Sequence, residues 1–138
     1  MKVKKIEVAC AIIEQDGRVM AAQRSETMSL PLKWEFPGGK IEARENPQIC
    51  LERELWEELR IRVEVLAELP PSDWCYPDFF ITLHPFVCRI QSGTIQLTEH
   101  KAIDWVRPAD LWRLDWAAAD GPVLENYRRY RAQELPRG

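Results

Sequence analysis

Asn46-Pro47 opens the segment that most limits how this chain can fold. Asparagine caps helices and proline is tolerated at the first helical position. NPQICLERELWEEL therefore predicts a helix over about 46–59. Each helical residue turns by about 100°. With Ile49 at zero, Leu51, Leu55, Leu59 and Trp56 fall at about 200°, 240°, 280° and 340° and make an apolar face. Glu57, Glu54 and Glu58 fall at about 80°, 140° and 180°. Three carboxylates thus share one side of a helix whose other side demands burial. Arg53 and Arg60 stand at i−4 and i+3 from Glu57, and Arg62 would reach Glu58 if the helix ran on. Glu54 has no basic residue at i±3 or i±4. Carboxylate oxygens suit hard ions such as Mg²⁺ or Mn²⁺. A merely solvated acidic face costs only about 0.2–0.5 kcal/mol per like-charge pair, so charge pattern alone leaves both readings open.

Strand patterns surround this helix. Val8 to Ile13 is an apolar, β-branched run, Asp16-Gly17 signals a turn, and RVMAAQR reads as the returning strand of a hairpin. Residues 25–33 read as loop, and WEFPGGK as a short strand entering a Pro-Gly-Gly break. IRVEVLAEL alternates apolar and polar residues until Pro70-Pro71. Phe79 to Ile90 and Thr94 to Leu97 predict a second hairpin turned near Ser92-Gly93, and Ala102 to Val106 another strand. Pro108 to Trp112 predicts one helical turn, and a C-terminal helix is expected over about 121–133. Interleaved strands and helices make this an α/β (α+β) chain, with a mixed sheet between helices.

At 138 residues the chain suits a single domain spanning 1–138. Its formal net charge is −3, and no Lys/Arg block forms a nucleic-acid or membrane footprint. A polyanionic ligand would need a few arginines or bound cations. Cys10, Cys50, Cys75 and Cys88 are far apart and form no CxxC pair, so they read as buried reduced thiols. The six tryptophans read mostly as core, and His84 and His100 as non-catalytic. No stretch approaches the roughly 20 apolar residues that span a bilayer. The expectation is a cytoplasmic protein, monomer or homodimer.

GKIEARENPQICLERELWEELRI, from Gly39, resembles the Nudix box: Gly, five residues, Glu, seven residues, Arg-Glu-apolar, one residue, Glu-Glu, one residue, Gly-apolar. Gly39, Glu45, Arg53, Glu54, Leu55, Glu57, Glu58 and Ile61 match in register; Arg60 stands where the family has glycine. The chain looks like the MutT branch, most like its CTP pyrophosphohydrolases, through AQR (22–24), WEFPGGKIE (34–42), HKAIDWVRPADL (100–111) and AAADGPVLE (117–125). The resemblance implies a Nudix-type α/β/α sandwich. It also implies Mg²⁺-dependent hydrolysis of a nucleoside triphosphate, CTP-type or oxidised such as 8-oxo-dGTP, to monophosphate and pyrophosphate. The other readings are a Nudix hydrolase of a different nucleoside-diphosphate-linked substrate and a non-catalytic nucleotide-binding module; intact motif glutamates oppose the latter.

Residue by residue, the resemblance makes Glu54, Glu57 and Glu58 metal carboxylates and the Gly38 carbonyl a backbone ligand beside them. Glu99 becomes a ligand or a general base delivered from a later loop. Arg53 and Glu45 pair to hold the loop against the helix, rather than to neutralise the site. Arg24 matches a phosphate-binding arginine, or is a surface residue at a strand end. Asp120 reads against the base as an ionised acceptor, or as a helix N-cap. Tyr76, Phe79 and Phe80 stack on a base or pack in the core. Arg60 either adopts the left-handed conformation, costing on the order of 1 kcal/mol, or extends the helix.

Overall fold

The structure, a computed structural model, describes residues 4–134. In chain order it contains β1 (Lys4–Gln15), β2 (Arg18–Gln23), β3 (Trp34–Glu35), β4 (Gly38–Lys40), α1 (Pro47–Leu59), β5 (Ile61–Glu68), β6 (Ser72–Cys75), β7 (Phe79–Gly93) and β8 (Ala102–Val106). A 3₁₀ helix (Pro108–Arg113) and α2 (Asp120–Glu134) complete it. The sheet is mixed: β1 runs parallel to β7, while β2, β4, β5, β6 and β8 pair antiparallel with their neighbours.

β1 explains the layering. Its side chains alternate between faces, and both faces are covered. Ala9, Ala11 and Ile13 pack with Leu51, Leu55 and Leu59 of α1. Cys10 and Ile12 pack with Val123, Leu124 and Tyr127 of α2. A strand buried on both sides reads as a continuous apolar run, which is the pattern of Val8 to Ile13. The β1–β2 turn forms at Asp16 and Gly17, whose φ of 52° and 75° suit a tight hairpin. Asn46 caps α1 by accepting from the Ile49 N–H at 2.8 Å.

Three expectations fail for physical reasons. Residues 94–97 form no strand. Their backbone instead meets the orphan carbonyls at the end of α1, where the last turn has no intrahelical donors. Gln96 N–H donates to Leu59 O at 2.9 Å, Thr98 N–H to Glu58 O at 3.2 Å, and Thr98 Oγ1 to Glu58 O at 2.9 Å. The tryptophans are not mostly core: Trp56, Trp74 and Trp112 are exposed and Trp34 is half-buried, while only Trp105 and Trp116 pack, half-buried, against the core. The wheel also misplaced the buried side of α1. Ile49 and Trp56 are exposed, whereas Glu58, next to Leu51 on the wheel, is buried. β6, just after Pro70-Pro71, was not anticipated.

Arg60 takes the left-handed conformation, at φ 59° and ψ 35°, and its N–H donates to Trp56 O at 3.0 Å. It does not pair with Glu57, nor Arg62 with Glu58. Both guanidinium groups lie over the Trp56 ring, at 5.7 and 4.6 Å from its centroid. Arg60→Gly should relieve the backbone strain and raise stability to chemical denaturation by at most about 1 kcal/mol. In the activity that the resemblance implies, turnover should stay within about tenfold, because no ion pair or hydrogen bond joins Arg60 to an α1 carboxylate among the described residues; a larger change would contradict this.

Candidate functional site

β4 and α1 bring the acidic helix against the sheet. Two glycines allow the approach. A side chain at Gly38 would strike the Ala9 carbonyl of β1, and one at Gly39 would strike the Glu54 carboxylate. Glu58, on the buried side of α1, is 7% exposed. Burial pushes its carboxyl up to about 9, helped by the charges of Glu54, Glu35 and Glu99 and opposed by the Gly38 N–H. Its Oε2 is buried with no hydrogen-bond partner. Glu54 is also raised, chiefly by burial, with Arg53 opposing and Glu57 and Glu99 adding. Glu99 is delivered to this group by Thr98, which is pinned on the end of α1.

Arg53 does more than hold the loop. Its Nε and Nη2 donate to the two Glu45 oxygens at 2.7 and 2.9 Å. Its Nη1 reaches Glu54 at 2.9 Å and Glu57 at 3.2 Å, so it also neutralises the helix glutamates. The basic partner of Glu54 is thus its immediate neighbour in the chain, not a residue at i±3 or i±4. With the Glu42 N–H, this pairing holds the Glu45 carboxyl down at about 2, Arg53 being the larger cause.

A buried carboxylate oxygen without a donor, among donors that are all oxygen, fits a hard divalent cation. Glu54, Glu57, Glu58, Glu99 and the Gly38 carbonyl could hold one. They are not yet gathered for it: among the described residues no three acidic, thiol or imidazole side chains meet at one point. Glu54 is turned onto Arg53, and Glu57 is 56% exposed at its side chain.

A cavity of about 320 Å³ is lined by Glu58, Gly38, Arg24, Asp120, Tyr76 and Phe79 among others. The Arg24 guanidinium is held by Glu35 Oε1 at 2.7 Å and by Ser29, from Nε to the carbonyl at 2.6 Å and from Nη2 to Oγ at 2.9 Å. Asp120 is no N-cap: it is the first residue of α2, and its Oδ2 accepts from the Phe36 N–H at 2.9 Å. Nor is it expected to be ionised near neutral pH. Burial, with the Glu35 charge adding, pushes its carboxyl up to about 8 against the Phe36 N–H and Arg24. The Tyr76 hydroxyl accepts from the Ala119 N–H at 3.0 Å, and its ring lies 4.8 Å from that of Phe79. Phe79 lines the cavity, but Phe80 does not; successive β7 side chains point to opposite faces.

Sequence reasoning passed over Glu35. It sits in the cavity wall, accepts from Arg24 and is bonded to His100. The available signal was one acidic residue flanked by Trp34 and Phe36 in the strand before Pro-Gly-Gly.

The NUDIX domain family matches residues 3–127. A CTP pyrophosphohydrolase of Escherichia coli is 38% identical over 129 residues, 94% of this chain and 96% of its own length. The 8-oxo-dGTP diphosphatase of the same organism is 29% identical over 127 residues, 91% and 98% of the two chains. The solved E. coli ORF135 protein superposes with a TM-score of 0.82 at 36% identity, covering 98% of this chain and 96% of that one. With a family match over nearly the whole length and a relative this similar end to end, the chain belongs to the NUDIX domain family.

Proposed function

We propose that the protein is a Mg²⁺-dependent nucleoside triphosphate pyrophosphohydrolase that releases a nucleoside monophosphate and pyrophosphate. The observation that carries this is one cavity lined by Glu58, Gly38 and Arg24 as well as by Asp120, Tyr76 and Phe79. Its size suits a small organic ligand, and its wall combines charged with aromatic side chains, as the phosphates and base of a nucleotide require. The names of the two E. coli relatives speak for the same reaction.

In this reading Glu54, Glu57, Glu58, Glu99 and the Gly38 carbonyl hold Mg²⁺, with Mn²⁺ as a substitute. The bound cation would neutralise phosphate oxygens and lower the pKa of an attacking water. Arg53 and Glu45 fix the carboxylates, and Arg24 meets the phosphates. Tyr76 and Phe79 face the base. A neutral Asp120 carboxyl offers an O–H donor beside a carbonyl acceptor. That pair complements a base with an exocyclic amine next to a ring nitrogen acceptor, as in cytosine or adenine, and the name of the CTP pyrophosphohydrolase relative favours a CTP-type substrate. Four free thiols, three of them buried, accord with a cytoplasmic setting. No helix among the described residues is long and apolar enough to cross a membrane.

A turnover screen over canonical and oxidised (d)NTPs with Mg²⁺ tests the reading. Pyrophosphate is the expected direct product, and cytidine nucleotides the expected best substrates. Orthophosphate as the direct product would reject the assigned bond cleavage.

A further inference from the structure

Besides Glu58, the described residues contain one other buried side chain with a polar atom left unpartnered. It is His100, whose Nδ1 meets no donor or acceptor. The imidazole is 1% exposed, and its Nε2 lies 2.8 Å from Glu35 Oε2. A ring nitrogen facing a carboxylate oxygen carries the proton and donates. An apolar side chain could fill the same volume without burying a polar ring. What histidine adds here is one donor, aimed at Glu35.

Glu35 passes the constraint on. Its Oε1 accepts from Arg24 Nη1 at 2.7 Å, so both of its oxygens are engaged, one on each side. Glu35 and Arg24 line the cavity, whereas His100 stands behind them. The backbone makes a second link between the same segments: Lys101 N–H donates to Gln23 O at 2.9 Å. Apart from Glu35, the guanidinium is held among the described residues only by Ser29, on an exposed stretch of loop.

We propose that His100 is a positioning residue for polyphosphate binding: it fixes Glu35, and Glu35 aims the Arg24 guanidinium into the cavity. The proposal rests on the reading of this cavity as the nucleotide site. Without the Nε2 donor, one Glu35 oxygen loses its partner and the carboxylate can turn away from Arg24. The loss then falls on binding of the phosphates rather than on the chemical step, and so on KM rather than kcat.

The test uses the full chain with pyrophosphate as probe, titrated by calorimetry in the presence of Mg²⁺. His100→Leu is expected to raise the pyrophosphate Kd by about tenfold, the effect of removing one charge-assisted hydrogen bond. The KM of the nucleotide should rise similarly, with kcat within about threefold. Glutamine carries its amide nitrogen as far out as Nε2, so His100→Gln should stay within about threefold of wild type. Asparagine is too short, and His100→Asn should behave like His100→Leu. In a Glu35→Ala background, His100→Leu should add less than about twofold, because the route is already cut. Unchanged Kd with a lowered melting temperature would mean a packing role and overturn the proposal. Failure of the wild type to bind pyrophosphate would overturn it too. Should His100→Leu not fold, the Gln and Asn variants decide by the same comparison. A wild type that binds pyrophosphate but turns over no nucleoside triphosphate would remove the assigned activity, while a weakened Kd in His100→Leu would still establish the linkage.

Discussion

Glu58→Gln is expected to lower kcat by about 10³-fold or more and, in the absence of divalent cations, to make the protein more stable. Both effects come from one carboxyl. Its Oε2 is buried without a partner, and its pKa is pushed up to about 9 by burial first and by Glu54, Glu35 and Glu99 after that. Below about pH 4.5 the folded and unfolded chains both hold the proton, so Glu58 makes no difference to stability. Between about 4.5 and about 9 the unfolded chain releases a proton that the folded chain retains, and stability falls as pH rises. Above about 9 both states are ionised and the loss stops growing. Glutamine imitates the protonated carboxyl at every pH. The cation-free variant should therefore gain up to about 4 kcal/mol at pH 7.5, from three pH units above 4.5 at about 1.36 kcal/mol each. Asp120, raised from 3.8 to about 8, has the same sign and stays in the variant. The variant's stability should still decline with pH, but less steeply, and the Asp120 part of the decline should level off near pH 8. Mg²⁺ should reverse the ranking, since only the wild type has the carboxylate that a cation can exchange for a proton. Thermal unfolding from pH 5 to 9, with EDTA and with Mg²⁺, checks each part. Parallel stability curves for the two proteins would contradict the assignment of Glu58, as would a variant kcat within tenfold of wild type.

This opposition between stability and function also marks where the sequence was legible. The α1 boundaries follow from Asn46-Pro47 at one end and the leucine spacing to Leu59. The β1–β2 hairpin follows from Asp16-Gly17, and the layered architecture from a strand apolar on both faces. These are local rules, and the structure obeys them. The family resemblance likewise pointed to Glu54, Glu57, Glu58 and Glu99, on elements that the fold brings near one another, and to Arg24 and Asp120, which line one cavity with the aromatic candidates Tyr76 and Phe79. What local rules missed depends on tertiary partners. Thr94 to Leu97 has a strand's composition, but the unsatisfied carbonyls at the end of α1 claim the N–H groups of Gln96 and of Thr98 just beyond it. Trp56 looks like a core residue until two arginines cover it at the surface. Asp120 reads as an ionised acceptor until its burial against Phe36 and Glu35 is known. Glu35 carries no motif position, and only the contacts with Arg24 and His100 show that it matters.

Arg53→Lys should lower kcat by about a hundredfold, although charge and length are nearly kept. The reason is the shape of the donor set. One guanidinium edge, Nε and Nη2, makes two parallel bonds to Glu45, while Nη1 projects to Glu54 and Glu57. Arginine's rigid fork can thus face the loop and the helix at once. A lysine ammonium is a point charge on a flexible stem and cannot reproduce both sides. If it stays with Glu45, Glu54 and Glu57 lose the cation that orders them; if it turns to them, the loop after β4 loses its anchor. Either way the carboxylates are held less well than the roughly 0.5 Å that productive metal and substrate geometry demands. Arg53→Met, which keeps the stem and removes the charge, should lose at least as much. Saturating Mg²⁺ should restore little, because the cation can replace Arg53 at Glu54 but not at Glu45. A structural signature separates this from a general loss of fold. The Glu45 carboxyl, held at about 2 mainly by Arg53, should return toward 4.5 in Arg53→Met, following a carboxyl resonance through an acid titration. An Arg53→Lys enzyme within threefold of wild-type kcat would show that charge alone suffices at this position, and that the fork between loop and helix is incidental to catalysis.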